Sequence, residues 1–413
     1  MMHAIFYGRG HSITLAVRNL YRQRRRALLA LTILCGGVVA FLLAGGFIHW
    51  IFQDMRESTI HSQLGHIQVT RPGYFREGLG DPYNYLLPSD MSVVENAIGP
   101  GARTVAPRLA FSGLLSKDEA TVSFVGEGID PAKEAPITRA ITIVDGQDLT
   151  ASPPDSVLLG EGLAANLDAA PGDRVVLLAT TASGGVNAVE LTVAGLFATI
   201  TKEYDDTVLR APIEVARKLM RVEGATSWVV LLNETDQTER VTQALRAQLP
   251  ASEFEIIPWS ELADFYNKTV ELFSRQVGVV RLLIALIVVL SISNTLSMAV
   301  IERTGEIGTS MALGVRRRGI LELFVLEGVL LGLAGGAIGV ALGYVLGQII
   351  SAIGIPMPPP PGMARGYIGE ISISPALALD AFLLAFVTTL VASLFPAWKA
   401  SRMNIVDALR HQR

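Results

Sequence analysis

Four long apolar runs restrict the fold of this chain more than any other feature of its sequence. Each run is long enough to cross a hydrocarbon core of about 30 Å as a helix, and few charges interrupt them. Within a bilayer, helices and closed barrels are the structures that satisfy their own backbone hydrogen bonds. The charged fraction is 17%, below the roughly 25% of a soluble domain. The sequence therefore predicts an α-helical membrane protein with four transmembrane helices.

Basic side chains are concentrated beside these runs, in three clusters. They are Arg18, Arg22, Arg24, Arg25 and Arg26 before the first run; Arg303, Arg316, Arg317 and Arg318 between the second and third; and Lys399, Arg402, Arg410 and Arg413 after the fourth. Basic flanks stay cytoplasmic, which predicts a multi-pass protein of the bacterial inner membrane with both termini cytoplasmic. Charges within the runs are expected to reach the headgroups, because they lie near the run ends. They are Arg281, Glu322, Glu327 and Asp380.

The first run could instead be a cleaved signal peptide, because a basic stretch precedes it. However, it exceeds the roughly 7 to 15 apolar residues of a signal sequence, and the bulky Phe47, Trp50 and Phe52 leave no clear cleavage site. Its removal would also leave an odd number of spans. We therefore expect the first run to be a transmembrane helix.

The apolar runs and their flanks divide the chain into segments. Transmembrane helices are predicted at 27–52, 277–301, 320–355 and 375–398. Cytoplasmic segments are predicted at 1–26, which is amphipathic, at 302–319, a coupling segment, and at 399–413, a tail. A large extracytoplasmic domain with a stalk is predicted at 53–276, between helices one and two, and a periplasmic proline-rich loop at 356–374.

The extracytoplasmic segment alternates strand-like and helical stretches, which favours an α+β fold. Strands are predicted at 121–126, 174–180, 189–198 and 228–232, and helices at 213–220 and 238–249. Pro171-Gly172-Asp173 has the composition of a tight turn. After Trp259 a helix is expected to continue unbroken into the second transmembrane helix as a stalk. The alternative is an amphipathic helix with a loop before the membrane.

The sequence contains no GxxxxGKS/T phosphate-binding loop, no GxSxG elbow and no HExxH site. The chain is therefore not expected to be an enzyme that hydrolyses ATP by itself. His61 and His66 lack the i, i+4 spacing of a helical metal site, and the single Cys35 lies in an apolar run, so neither a metal site nor a disulfide is expected. The net charge of -4 argues against a nucleic-acid-binding protein.

Glycine recurs at intervals of four residues in the third apolar run. The residues are Gly328, Gly332, Gly335, Gly336, Gly339, Gly343 and Gly347. Glycine stripes let helices approach closely in lipid, where apolar contact supplies no driving force for association. The third helix is therefore predicted to pack tightly against the second or the fourth.

The link between the second and third runs, 302–318, combines charged and apolar residues in an ordered pattern. The charged residues are Glu302, Arg303 and Glu306, and the apolar residues are Ile307, Met311, Leu313 and Val315. An apolar ridge beside charges suits a short helix that docks into a groove on a cytoplasmic partner. The alternative is a helix that lies on anionic headgroups through its arginines.

Four stretches resemble the FtsX-like permeases, the superfamily that includes the MacB exporters and the lipoprotein-release permeases. They are LAVRNLYRQRRRALL before the first run, LLGEGLAANLDAAPGDRVVL with the later Gly195-Leu196-Phe197, the ERTGEIG and MALGVRRR parts of the link, and FPAWKASRMNIVDALR at the end. Gly65-His66-Ile67-Gln68-Val69 resembles the lipoprotein-release (LolC/LolE-like) branch more than the MacB branch. The resemblance implies that 53–276 is a MacB-like periplasmic core domain.

The resemblance also implies an ABC transporter permease that forms a dimer with a second copy or a paralogue. Two copies of a separate ATPase, which holds ATP and Mg, would grip the link, and this chain itself would bind no cofactor. ATPase coupling is assigned to Glu302, Arg303, Glu306, Ile307, Met311 and Leu313. Acyl-chain contact is assigned to apolar residues of the first two spans, namely Phe41, Phe47, Phe52, Phe273 and Val277.

The function implied by the resemblance is extraction or export of a lipoprotein, lipid or other amphiphile from the inner membrane, with hand-over to a periplasmic carrier or adaptor. MacB-like efflux of a drug or peptide from the periplasm is one alternative. FtsX-like regulation of a periplasmic hydrolase without transport is another. A receptor that signals inward fits less well, because only short cytoplasmic segments are predicted.

Overall fold

The structure, a computed structural model, describes residues 14–199, 201–358 and 366–404. These residues form two compact units. The helical unit extends up to Phe52 and includes Val270–Pro356 and the residues from Ile368 onward, whereas the sheet-rich unit comprises Gln53–Thr269 and Met357–Tyr367. Arg365 of the predicted loop and Arg410 and Arg413 of the predicted tail lie outside the described residues, as do residues 1–13 of the predicted N-terminal segment.

The helices of the sheet-rich unit are short, whereas the four longest helices belong mostly to the helical unit. After a helical segment at 14–22, here called the N-terminal helix, the helices are α1 (Arg24–Thr59), α2 (Tyr74–Glu77), α3 (Ser92–Ile98), α4 (Pro131–Glu134), α5 (Glu161–Leu167), α6 (Lys202–Asp205), α7 (Ile213–Met220), α8 (Thr238–Gln248), α9 (Trp259–Leu262), α10 (Asp264–Glu302), α11 (Thr304–Ala312), α12 (Arg317–Ile353) and α13 (Pro375–Ser401).

The four apolar runs form α1, α10, α12 and α13, each of which is long and apolar enough to cross a membrane. α1 continues directly into a π-helical turn, Ile60–Leu64. The expected helix after Trp259 is confirmed from Asp264 onward, where α10 runs unbroken to Glu302. The prediction is wrong for the residues before Asp264, because the backbone of Ala263 leaves the helical region and separates α9 from α10.

Ten strands of the sheet-rich unit form one sheet, and Ile355–Met357 and Tyr367–Gly369 form a separate two-stranded sheet. The strands are β1 (Ile67–Thr70), β2 (Ala102–Lys117), β3 (Ala120–Ile129), β4 (Thr142–Gly146), β5 (Ser156–Gly160), β6 (Arg174–Thr180), β7 (Val186–Ala198), β8 (Val208–Pro212), β9 (Ser227–Leu232), β10 (Glu255–Pro258), β11 (Ile355–Met357) and β12 (Tyr367–Gly369). The order in the large sheet is β10-β1-β9-β2-β3-β8-β5-β7-β4, and β6 pairs with β2 and β7.

The burial pattern explains why these segments adopt their structures. Every residue of β9 is buried, because Trp228, Val230 and Leu232 pack in one apolar cluster and Val229 and Leu231 pack in another. β6 alternates exposed and buried residues, as a strand with one solvated face does. The predicted turn at Pro171-Gly172-Asp173 is confirmed, with Gly172 at φ +95° and its amide bonded to the Val193 carbonyl at 2.8 Å. These strands and the predicted helix at 213–220, which is α7, confirm a mixed helix and strand domain.

The sheet-rich unit buries charged side chains that sequence reasoning did not find. Arg108 on β2 pairs with Glu134 of α4, with Nε to Oε1 at 3.1 Å, and Arg210 on β8 pairs with Glu127 of β3 at 2.9 Å. Burial acts to raise the pKa of Glu127, but Arg210 and Arg108 outweigh this effect and hold that pKa below its usual value. Because each buried charge has an opposite partner, the pairs fix how β2, β3, β8 and α4 meet.

In the helical unit α12 packs between α1 and α13, and its glycines lie at both contacts. A Cβ atom added to Gly328 would lie 2.5 Å from Ser393 of α13, and one added to Gly339 would lie 2.7 Å from Val38 of α1. The other members divide in the same way: Gly332 and Gly336 face α13, Gly335 and Gly343 face α1, and Gly347 faces Ile371 and Ile373. Packing against the fourth helix is confirmed, whereas the contact with the first helix was not predicted.

Substitution of Gly339 by alanine is expected to destabilise the full chain. The new Cβ would lie 2.7 Å from the Cβ of Val38 and 3.3 Å from the Cα of Cys35, so α1 must shift, and overpacking of this kind costs about 1–3 kcal/mol. Gly319→Ala is a matched control on the same helix, because its nearest neighbour would lie at 3.4 Å. Unfolding by SDS in mixed micelles measures both variants. Equal stability of Gly339→Ala and Gly319→Ala would contradict the packing described here.

Candidate functional site

The residues predicted to couple to a partner lie on α11 and its flanks. Glu302 ends α10, Arg303 lies between the two helices, and Leu313 follows α11. Beyond it, Gly314 adopts φ +98°, a left-handed conformation that glycine accepts at no steric cost. The amide of Val315 bonds to the Ser310 carbonyl at 3.1 Å and closes the end of the helix. The predicted short helix is therefore present, and it ends in a tight turn before α12.

The predicted apolar ridge of the link is divided between two faces. Ile307 and Met311 are only 5% and 7% exposed, and they pack in a cluster with Phe324 of α12 and Ala397 of α13. Leu313 is 83% exposed. Ile307 and Met311 therefore hold α11 against the helical unit, and Leu313 presents an apolar side chain outward. A single ridge that faces outward, as the sequence suggested, is not what the structure shows.

The acidic residues of the link pair with arginines near the start of the chain. Glu306 of α11 bonds to Arg22 of the N-terminal helix at 3.1 Å, and Glu302 pairs with Arg26 of α1. The acidic side chains are close to half exposed, so each pair contributes no more than about 1 kcal/mol. The first pair places the N-terminal helix beside α11, and the second joins α1 to the end of α10; no motif in the sequence indicated either contact.

The environment of Glu327 differs from the predicted one, and no other difference matters more for this site. The sequence suggested that its carboxylate reaches the headgroups, but Glu327 is 3% exposed. Its Oε1 atom accepts hydrogen bonds from Asn19 Nδ2 at 2.9 Å and from Arg303 Nη1 at 3.2 Å. The Arg303 guanidinium also lies 5.8 Å from the centre of the Phe324 ring. A buried carboxylate thus connects the N-terminal helix, the link and α12.

The residues predicted to contact an acyl chain are not all accessible. Phe41 is 2% exposed and belongs to the core of the helical unit, so the prediction for Phe41 is wrong in this chain: its ring is enclosed by other helices. Phe52 and Phe273 are brought together edge to face, with ring centroids 6.3 Å apart. Val277 is half-buried, and Phe47 lies against Gly369. The Phe52–Phe273 pair joins α1 to α10.

A further ionic contact of the helical unit joins α10 to α13. Arg281 Nη1 and Nη2 donate to the two carboxylate oxygens of Asp380 at 3.0 and 2.9 Å. This two-point geometry is the strong form of an arginine–carboxylate pair. The sequence signal was one arginine in the second apolar run and one aspartate in the fourth, which were expected to face headgroups rather than each other.

His61 and His66, considered above as a metal pair, lie edge to face with ring centroids 6.0 Å apart. Both nitrogens of His66 are engaged, since Nδ1 accepts from the Leu232 amide and Nε2 lies 3.0 Å from the Thr235 hydroxyl. Burial, followed by the charge of His61, lowers the pKa of His66 to about 4. Within the described residues no group of three His, Cys, Asp or Glu side chains could hold a metal ion. His66 therefore acts as a neutral structural residue.

Two family models match the sequence of this chain. The MacB-like periplasmic core domain matches residues 27–248, which is more than half of the chain, and the FtsX-like permease C-terminal region matches residues 278–405. Four helices that can cross a membrane and a sheet-rich MacB-like domain define a permease of the ABC transporters. The chain belongs to the family of such permeases that combine a MacB-like periplasmic core domain with an FtsX-like C-terminal region.

Curated relatives include three that illustrate the range of this family. An uncharacterised ABC transporter permease of Methanocaldococcus jannaschii is 24% identical over 96% of this chain and 97% of its own length. The lipoprotein-releasing system protein LolC of Xylella fastidiosa is 26% identical over 62% of this chain and 65% of its own length. The macrolide export protein MacB of Rhodospirillum rubrum is 27% identical over 97% of this chain and 60% of its own length. The match thus spans less than two thirds of LolC and of MacB.

Acidification is expected to destabilise the sheet around His66. The pKa of this residue is about 4 in the folded chain against an ordinary value of 6.5, so its neutral form is favoured by folding. The stabilisation is complete above pH 6.5 and is lost as the pH falls toward 4, by about 2 kcal/mol at pH 5. Hydrogen exchange of the Leu232 segment in the full chain, corrected for intrinsic rates, measures the opening free energy at pH 7 and pH 5.

The control for this experiment is His66→Asn. Asparagine offers a carbonyl oxygen to the Leu232 amide but does not titrate between pH 4 and pH 7. In the variant, the opening free energy of the Leu232 segment should differ much less between pH 7 and pH 5 than in the wild type. If the opening free energy of this segment in the wild type is the same at pH 7 and pH 5, protonation of His66 does not destabilise the sheet.

Proposed function

We propose that this chain is the permease subunit of an ATP-driven transporter and that its link, 302–318, receives the motion of a separate ATPase. The observation that carries the proposal is the division of the link into two faces. Ile307 and Met311 attach α11 to the packed core of the helical unit. Leu313 and the basic residues Arg316, Arg317 and Arg318 remain exposed. A rigid segment with one face fixed inside and one face free suits the transfer of a partner's movement to α10 and α12.

Membership of an ABC transporter permease family supports an assembly that includes an ATPase. Two copies of the permease, or one copy and a paralogue, would bind two copies of the ATPase, with ATP and Mg held by the ATPase. The link and both termini would be cytoplasmic, on the basis of the arginine clusters. The sheet-rich domain, inserted between the first and second spans, would lie in the periplasm of a bacterium with an inner membrane and meet a carrier or adaptor there.

For the substrate, we propose a lipoprotein, lipid or other amphiphile extracted from the membrane. The match to LolC, a protein of a lipoprotein-releasing system, supports this class. Further support comes from the Phe52–Phe273 contact, an aromatic pair between two spans that an acyl chain could separate and replace with its own apolar surface. Phe47 and Val277 would extend the same surface.

Efflux of a drug or peptide from the periplasm is the second candidate function. It is favoured by the match to MacB, a macrolide export protein, which extends over 97% of this chain. The two functions differ in where the cargo is found. An amphiphile would enter between the spans from the membrane, whereas a periplasmic cargo would enter from the sheet-rich domain. A regulatory permease would carry no cargo at all.

Leu313→Asp is expected to weaken binding of the ATPase to the full permease in nanodiscs by about tenfold or more, because burial of a leucine contributes about 1.5–3 kcal/mol. Leu79→Asp is the matched control, since Leu79 is also well exposed, at 64%, but belongs to the sheet-rich unit. Biolayer interferometry with an ABC ATPase from the same genome gives both affinities. Unchanged affinity of Leu313→Asp would exclude this residue from the contact, and failure of the wild-type chain to bind any such ATPase would refute the proposed function.

A photoreactive phenylalanine analogue at Phe273 is expected to form a cross-link with an acylated protein or a lipid in membranes. The same analogue at Phe395 of α13, which is 60% exposed, serves as the control for contact with bulk lipid. Mass spectrometry of the cross-linked material would identify the cargo. Equal labelling of bulk lipid from both positions, with no enriched species at Phe273, would favour efflux or regulation over extraction.

A further inference from the structure

Glu327 differs from the other charges in the apolar runs because its partners come from two separate elements. Its Oε1 atom accepts from Asn19 of the N-terminal helix and from Arg303 at the start of the link, at 2.9 and 3.2 Å. We call these three residues the polar lock. By contrast, Glu322, five residues earlier on α12, is exposed.

The position of the polar lock is fixed by the packing around it. Gly328, the next residue of α12, meets Ser393 of α13 so closely that no side chain fits. On the other side, Phe324 is 1% exposed, and its ring faces the Arg303 guanidinium. The Glu327 carboxylate therefore cannot move far, and a charge removed from water is stabilised only while its donors remain in place. Any separation of Asn19 or Arg303 from α12 leaves this charge less well compensated.

The N-terminal helix and the link are also joined directly to each other. Arg22 pairs with Glu306, and Ala16 of the N-terminal helix is fully buried. The surface pair is weak alone, because its side chains are 75% and 48% exposed. The polar lock adds the buried contact that exposed pairs lack. The link and α12, which follow each other in sequence, thus meet the distant N-terminal helix at one carboxylate oxygen.

We infer that Glu327 is a positioning residue whose carboxylate holds the N-terminal helix and the link on α12, so that the three move as one body. The inference rests on the proposed function in one respect, namely that the link receives the motion of the ATPase. It adds that the N-terminal helix is part of the moving body. It also adds that the buried Glu327 of α12 sets the orientation of the N-terminal helix and the link. The contact with the ATPase itself would remain with exposed residues such as Leu313.

The first test measures geometry in the permease alone. Spin labels are placed on Tyr21 of the N-terminal helix, which is 79% exposed, and on the exposed Thr309 of α11, through Tyr21→Cys and Thr309→Cys. Labelled chains are diluted with unlabelled chains in nanodiscs so that distances within one chain dominate, and a sample with the buried native Cys35 alone gives the background. Double electron–electron resonance should give one narrow distance distribution, which Glu327→Gln broadens and Glu322→Gln leaves unchanged.

A second variant keeps the test decisive if Glu327→Gln does not fold. Asn19→Ala removes one donor of the polar lock from a half-buried position of the N-terminal helix and leaves the Arg303–Glu327 pair intact. It should broaden the same distribution to a smaller extent. A narrow, unchanged distribution in either folded variant would overturn the inference, because a residue with a merely local packing role would leave the distance between the two helices as it is.

The second test separates this inference from the proposed function. The ATPase should bind Glu327→Gln nearly as tightly as the wild type, because the exposed face of the link is unaltered. Stimulation of ATP hydrolysis by the permease should fall by about tenfold or more, since small errors of position are costly for a coupled reaction. Broadening of the distance without loss of stimulation would overturn the positioning role. Failure of the wild-type permease to bind the ATPase would refute the proposed function and leave the geometric result standing.

Discussion

The close approach of α12 to helices on both of its sides is the constraint on which the helical unit depends. In lipid, no hydrophobic force distinguishes one apolar helix face from another, so the neighbours of α12 are selected by shape. The glycines admit Val38 of α1 on one side and Ser393 of α13 on the other. Glu327 lies one residue before this stripe begins. Contacts between apolar atoms along α12 therefore determine where its buried carboxylate meets Asn19 and Arg303.

The two units share a way of connecting elements that are far apart in sequence. In the sheet-rich unit Arg108 and Arg210 pair with Glu134 and Glu127, and in the helical unit the polar lock has the same role. Buried ion pairs of this kind add little net stability, because desolvation offsets much of the attraction. These pairs instead fix how the elements that carry them align, because any other arrangement leaves a buried charge unpaired. This suits a protein in which the N-terminal helix, the link and α12 are proposed to move as one body.

Much of the architecture could be predicted because it depends on local pattern. The alternation of Arg174–Thr180 and the spacing of Ile213, Ala216 and Leu219 define a strand and a helix without reference to the rest of the chain. The details of the site depend on residues far away. Glu327 is buried because Asn19, 308 positions earlier, covers it, and Met311 points inward because α13 supplies Ala397 and Ala400. Neither fact is contained in the composition of a short segment, which is why an outward ridge was predicted.

The Arg281–Asp380 contact has a consequence for how the chain is made. The ribosome delivers α10 to the membrane before α13 has been synthesised, so Arg281 first meets the bilayer without its counter-ion. An arginine at the centre of a span costs about 2.5–3.5 kcal/mol during insertion, and less toward the end of the span. The inserted α10 therefore reaches its lowest free energy only after α13 has entered the membrane and Asp380 pairs with Arg281. A nascent polypeptide that stops short of Asp380 thus leaves Arg281 without its carboxylate partner.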